Sequence, residues 1–195
     1  MRPIFTIHAG EFIVGEHLER SFKGLNVWVP TKDTGVDLLV TNSTNTTGVS
    51  FQVKFSRDYL TTHMDAELQD PMRVCGWFML NVNKIEQSSA HFWVLVLIGS
   101  KTRSRDYVII QPAELLKRLK RIHPEDYQDG KFKVYIWITE EGRCWETRGL
   151  AKSDQIQIAK GTFVSSERDL TPYVNERGWQ CALPPDFTDA KSGLR

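Results

Sequence analysis

The spacing of apolar residues changes several times along the chain, and each change marks an element. Glu11, Gly15, Leu18 and Phe22 recur at intervals of 4, 3 and 4, so they share one stripe of a helix predicted over about Ala9 to Lys23. Gly24 suits its end. Asn26 to Pro30 reads as a short strand, and Thr31 to Gly35 as a turn. Val36 to Val40 and Val49 to Phe55 alternate like strands around the polar loop Thr41 to Gly48, which predicts an antiparallel hairpin. A helix is expected over about Ala66 to Lys84, carrying Val74, Trp77, Phe78 and Leu80. Phe92 to Ile98 is apolar at every position, as in a central strand covered on both faces, with a short buried helical turn as the alternative. Asp106 to Ile110 is strand-like, Pro112 to Ile122 is an amphipathic helix, and Lys133 to Thr139 alternates like a strand. Beyond Gly149 the signal weakens, and the tail from Pro184 to Arg195 reads as loose. The order α-β-β-β-α-β-β-α-β predicts a mixed α/β protein with helices flanking a sheet.

Composition narrows the class. The chain has 195 residues, 41% hydrophobic and 25% charged, which excludes wholesale disorder, collagen and coiled coil. Its formal charge is +1, so a nucleic-acid partner would have to be recognised at a local site. The apolar run Phe92 to Ile98 is far short of the ~20 residues of a membrane helix. Met1 to His8 lacks the apolar stretch of a signal peptide. Cys75, Cys144 and Cys181 are odd in number and far apart, which points to reduced thiols and a cytoplasmic protein. The chain has no P-loop, GxGxxG, GxSxG or CxxC motif, and no organic cofactor is expected.

The informative stretch is Gly35 to Ser56. Strand side chains alternate faces, so Asp37 and Leu39 oppose Val36, Leu38 and Val40. Ser50, Gln52, Lys54 and Ser56 likewise oppose Val49, Phe51, Val53 and Phe55. One register of the hairpin places Asp37 beside Gln52 and Lys54, away from the large apolar residues. If the Glu11 stripe packs on the sheet, Glu11 points at the hairpin, where a carboxylate needs a partner. These residues suit a hard divalent cation, since magnesium takes oxygen ligands and keeps several waters. Asp37 would bind it directly, Glu11 through water, and the Val53 carbonyl would add an oxygen. Lys54 would orient or deprotonate an attacking water, or neutralise charge on a phosphate. The competing reading is a wet polar face of an antiparallel sheet, with Glu11 as an exposed first-turn acid.

Gly35-Val36-Asp37, followed after fourteen residues by Gln52-Val53-Lys54 and preceded by a helix carrying Ala9-Gly10-Glu11-Phe12, resembles the PD-(D/E)xK nuclease superfamily. It is most similar to the branch with Gln in place of the second acid, as in Mrr-like restriction proteins. The helix acid is arranged as in Holliday junction resolvases. The resemblance covers roughly the first half of the chain. It implies a restriction-endonuclease-like mixed sheet flanked by helices, with core order α-β-β-β-α-β and C-terminal additions. It also implies Mg2+-dependent hydrolysis of phosphodiester bonds in DNA leaving a 5′ phosphate, with Mn2+ able to substitute. By position, Asp37 is the metal-binding acid, Gln52 the variant second ligand, Lys54 the catalytic lysine and Glu11 the helix acid. Two departures stand out: Val36 replaces the motif proline, and Gln52 is neutral where an acid is usual. The second favours one metal over two and leaves a non-cleaving domain open.

The expected organisation is a nuclease-like core over 1–124, an extension over 125–183 that packs on it and supplies specificity or a dimer surface, and a flexible tail over 184–195. The expected protein is an endodeoxyribonuclease of the restriction or defence kind that acts as a homodimer, because duplex cleavage takes two sites. A catalytically inactive nucleic-acid-binding module and a structural or interaction domain are the alternatives. Ser56 and Arg57 adjoin the expected cleft, and Lys117 and Arg118 lie on a basic helix face; these are the candidate phosphate contacts. The dense segment Arg143 to Arg148 has no role on sequence grounds.

Overall fold

The computed structural model describes residues 4–30, 35–59, 64–101, 103–183 and 187, with side chains from residue 9 onward. Helix α1 (Ile4–Ser21) begins before the predicted start and is followed by β1 (Leu25–Trp28). The hairpin is β2 (Leu38–Asn42) and β3 (Gly48–Arg57). After it come α2 (Ala66–Gln69), β4 (Met72–Asn81), α3 (Val82–Glu86), β5 (Phe92–Ile98) and β6 (Arg105–Ile110). The remainder is α4 (Pro112–Ile122), α5 (Pro124–Gln128), β7 (Lys131–Thr139), β8 (Cys144–Glu146), α6 (Lys152–Ala159) and α7 (Asn175–Ala182). The fold is α/β, with two sheets and flanking helices. No described helix is long and apolar enough to cross a membrane.

The first sheet has the order β1-β2-β3-β5-β6. Its pairs are antiparallel except β3 with β5, which run parallel from Phe51↔Phe92 to Arg57↔Ile98. β5 is therefore a central strand, buried from Trp93 to Leu97, and its unbroken apolar run follows from cover on both faces. The second sheet, β4-β7-β8, is antiparallel.

The helix expected over Ala66 to Lys84 does not form. Only Ala66–Gln69 and Val82–Glu86 are helical, and Met72 to Asn81 between them is β4. Val74, Phe78 and Leu80 enter the core between the sheets, while Cys75, Trp77 and Met79 point the other way. Both rows are apolar, so no polar alternation marks the strand, and Val74, Trp77 and Phe78 fall at helical spacing by coincidence.

One face of the first sheet packs on α1 and α7 through Val40, Phe51, Val53, Val94, Val96 and Ile109 against Val14, Leu18 and Trp179. The buried row of α1 is Gly10, Val14 and Leu18, and Glu11 and Gly15 flank it, half-buried. Gly15 lies against Val27 of β1, while Glu16 pairs with Arg105 of β6. Flat strands about 4.8 Å apart would put those edges roughly 19 Å apart, so the sheet curls around the helix. The opposite face packs on the second sheet, through Trp93, Leu95 and Leu97 against Val74, Phe78 and Ile136.

Chain beyond residue 124 is built into this core. β7 and β8 complete the sheet that β4 begins, and α7 packs on β6. Arg143 to Arg148 braces it: Arg143 donates to the Gly161 carbonyl at 2.7 Å, buried Glu146 pairs with Arg168 at 2.6 Å, and Arg148 pairs with Asp126. Of the tail, only Phe187 is described, and it is fully buried; the rest lies outside the described residues.

The sheets pack tightly at Gly76, where a Cβ would stand 2.6 Å from Leu97 Cδ2. Gly76→Ala is expected to lower unfolding free energy by about 1–3 kcal/mol in urea titration, through overpacking; wild-type stability would contradict this contact. Cys75 and Cys144 are buried, and burial raises their thiol pKa values well above normal, while Cys181 is exposed. A thiol reagent should titrate Cys181 alone in the native protein and all three cysteines after denaturation.

Candidate functional site

The site forms where β2 ends and β3 continues. The last paired residues of the hairpin are Leu38 and Phe51, with Asp37 N–H donating to the Phe51 carbonyl at 2.8 Å. Past that point no described strand pairs with the β2 side of β3, so Val53 presents its N–H and C=O toward that edge. The Asp37 carboxylate takes the N–H, with Oδ2 at 2.7 Å from Val53 N. The Lys54 ammonium donates to the Val53 carbonyl at 3.2 Å. Gln52 Nε2 donates to the same Asp37 Oδ2. Asp37 Oδ1 takes no hydrogen bond from the described residues. Gly35, with φ +82°, turns the chain into this approach, and the Gln52 amide oxygen faces it.

The polar row of β3 is covered rather than wet. Ser50, Gln52 and Ser56 are each under 9% exposed, and Asp37 and Lys54 are half-buried. Buried polar groups are costly unless paired, and the bonds above supply the pairing. The Lys54 ammonium also lies 5.5 Å from the Trp93 ring centroid. Along the same row, Ser50 N–H donates to His91 Nδ1 at 3.1 Å, and Ser50 Oγ lies 2.7 Å from that nitrogen. A backbone N–H can only donate, so the neutral His91 ring carries its proton on Nε2. Local sequence gives no sign of His91, because the parallel pairing of β3 with β5 brings it here.

The structure thus brings Asp37, Gln52, Val53 and Lys54 together. Glu11 reaches them differently. α1 packs on the Val53 and Phe55 face, where a Cβ on Gly10 would stand 3.2 Å from Val53 Cγ1, so Glu11 belongs to the face opposite Gln52 and Lys54. The two faces meet only around the open edge. Among the described residues, no group of three His, Cys, Asp or Glu side chains suits a metal. A cation here would rest on Asp37 and the Val53 carbonyl, while the Gln52 amide turns its donor to Asp37 and Glu11 lies on the other face of β3. Two oxygens on one open edge, with an ammonium on one of them, suit a hard cation that keeps much of its water.

The candidate phosphate contacts separate into two groups. Ser56 bridges the sheets, accepting from Trp77 N–H at 2.9 Å and donating to the Arg57 carbonyl at 3.0 Å. Arg57 is exposed and, with Lys54, lines a groove of about 440 Å³ between β3 and β4. Arg118 holds Glu114 and donates to the carbonyls of Ser166, Glu167 and Asp169, and Lys117 pairs with Glu114 at 3.5 Å. Arg118 is therefore a loop brace on α4.

Against family models, curated proteins and solved structures, the chain finds no match.

Asp37→Ala removes the acceptor for Val53 N–H and the Gln52 amide, and should destabilise the protein by about 1–3 kcal/mol in chemical denaturation. Asp37→Asn keeps an acceptor oxygen and should cost less. Equal losses for the two would show that the carboxylate does not serve these donors.

Proposed function

We propose that this protein is a metal-dependent nuclease of the PD-(D/E)xK type, a cytoplasmic Mg2+-dependent endodeoxyribonuclease. The carrying observation is the open edge of β3, where Asp37, the Val53 carbonyl and Lys54 converge beside Gln52. The order β1-β2-β3-β5, with β3 and β5 parallel and α1 over β3, supports a restriction-endonuclease-like core. In this reading the usual connecting helix gives way to β4 and α3.

Asp37 and the Val53 carbonyl would hold the cation, with Gln52 as the variant second ligand after its amide turns and Glu11 reaching it through water around the edge. When bound, the cation polarises a phosphodiester and lowers the pKa of an attacking water. Lys54, already at the Val53 carbonyl, orients that water and neutralises charge developing on phosphorus. Arg57 holds the neighbouring phosphate. Duplex cleavage takes two such edges, hence a homodimer.

One observation favours a second reading. Gln52 turns its donor, not its oxygen, toward Asp37. A non-cleaving DNA-binding module would keep that arrangement.

Supercoiled DNA incubated with Mg2+ or Mn2+ should be nicked by wild type, and at least 100-fold more slowly by Asp37→Ala or Lys54→Ala, by order of magnitude for loss of a catalytic group. EDTA should abolish nicking. DNA binding without nicking in any metal would select the second reading. Gln52→Glu should tighten cation binding in calorimetry, and unchanged affinity would place Gln52 away from the cation.

A further inference from the structure

The groove beside Lys54 and Arg57 does not end at β4. It shares Tyr59 and Trp77 with a second cavity of about 550 Å³ on the outer side of the second sheet. There Trp77 and Tyr135 are cross-strand partners, 44% and 37% exposed. Tyr59 lies 5.9 Å from the Tyr135 ring and accepts a 2.7 Å hydrogen bond from Trp137 Nε1. α2 and α6 cover the neighbouring part of this face through Leu68 and Ile158, and among the described residues the aromatic part stays exposed beside that packed wall.

We propose that this cavity is a subsite for one unpaired nucleobase of a DNA strand whose phosphates lie at Lys54 and Arg57. The inference rests on reading the Lys54 edge as a nucleic-acid site. Three features carry it. Open aromatic faces stack on any base and tolerate its sequence. Gln155 and Asp65 set polar groups beside the rings, with Gln155 Nε2 donating to the Leu150 carbonyl and Asp65 paired with Lys152, which suits a heterocycle better than an acyl chain. Arg57 and Lys54 border the connecting groove, so a base in the cavity leaves its phosphate beside two cations. A paired base cannot reach such a cavity without leaving its stack. The site therefore prefers single-stranded, bulged or unpaired DNA.

Fluorescence polarisation in EDTA, at one fixed salt concentration, tests this with three labelled probes: a perfect duplex, the duplex with one extrahelical adenine, and the same bulge made abasic. Wild type should bind the adenine bulge on the order of tenfold more tightly than either other probe. Trp77→Leu and Tyr135→Leu should erase that preference and Trp77→Phe should keep most of it, with near-ultraviolet dichroism checking the fold. Equal affinity of wild type for all three probes would overturn the subsite. So would a preference retained in folded Trp77→Leu, or a dimer that Trp77→Leu dissociates without changing DNA affinity. The preference without nicking in any metal removes only the hydrolytic reading, whereas nicking without the preference removes only the subsite.

Discussion

A strand that outlasts its neighbour must find partners for the backbone groups that neighbour no longer serves, and β3 does so with side chains. Val53 gives its N–H to the Asp37 carboxylate and its carbonyl to the Lys54 ammonium. An acid and an amine are thereby fixed on one strip of backbone. Burial strengthens this, because Gln52 and the residues around it lie under the second sheet, where an unpaired polar atom is costly. The same contacts that complete the sheet edge assemble the chemistry proposed for it.

The rest of the molecule sets the limits of that edge. The curl around α1 and the packing of Val53 hold β3 from one side, and the hydrogen bond from Trp77 N–H of β4 to Ser56 Oγ holds it from the other. β4, which closes the site from below, is itself held in register by β7. The C-terminal third of the chain therefore supports the site from a distance, and the braces at Arg118, Arg143 and Arg168 hold that third together.

Much of this was legible in the sequence where a period was clean. The hairpin showed through two-residue alternation, and one of its possible registers, the one the structure adopts, places Asp37 beside Gln52. Phe92 to Ile98 showed as a doubly covered strand, and Pro112 to Ile122 as a helix with proline at its start. Met72 to Asn81 was not legible, since a strand with two apolar faces carries no alternation. The helix acid was only half legible: heptad-like spacing put Glu11 on a buried stripe, whereas the buried row is Gly10, Val14 and Leu18. The neighbours of the site from β4 and β5, Trp77 and His91, depend on pairings between distant segments that no local pattern encodes.

The central claim is that a divalent cation binds at the open edge of β3. Its most direct test is paramagnetic broadening of amide resonances by substoichiometric Mn2+ in 15N-labelled protein. The account predicts that the Val53 and Lys54 amides broaden first, and that Asp37→Ala restores them. Val53 and Lys54 signals that stay sharp while amides elsewhere vanish, or that broaden equally without the Asp37 carboxylate, would contradict it.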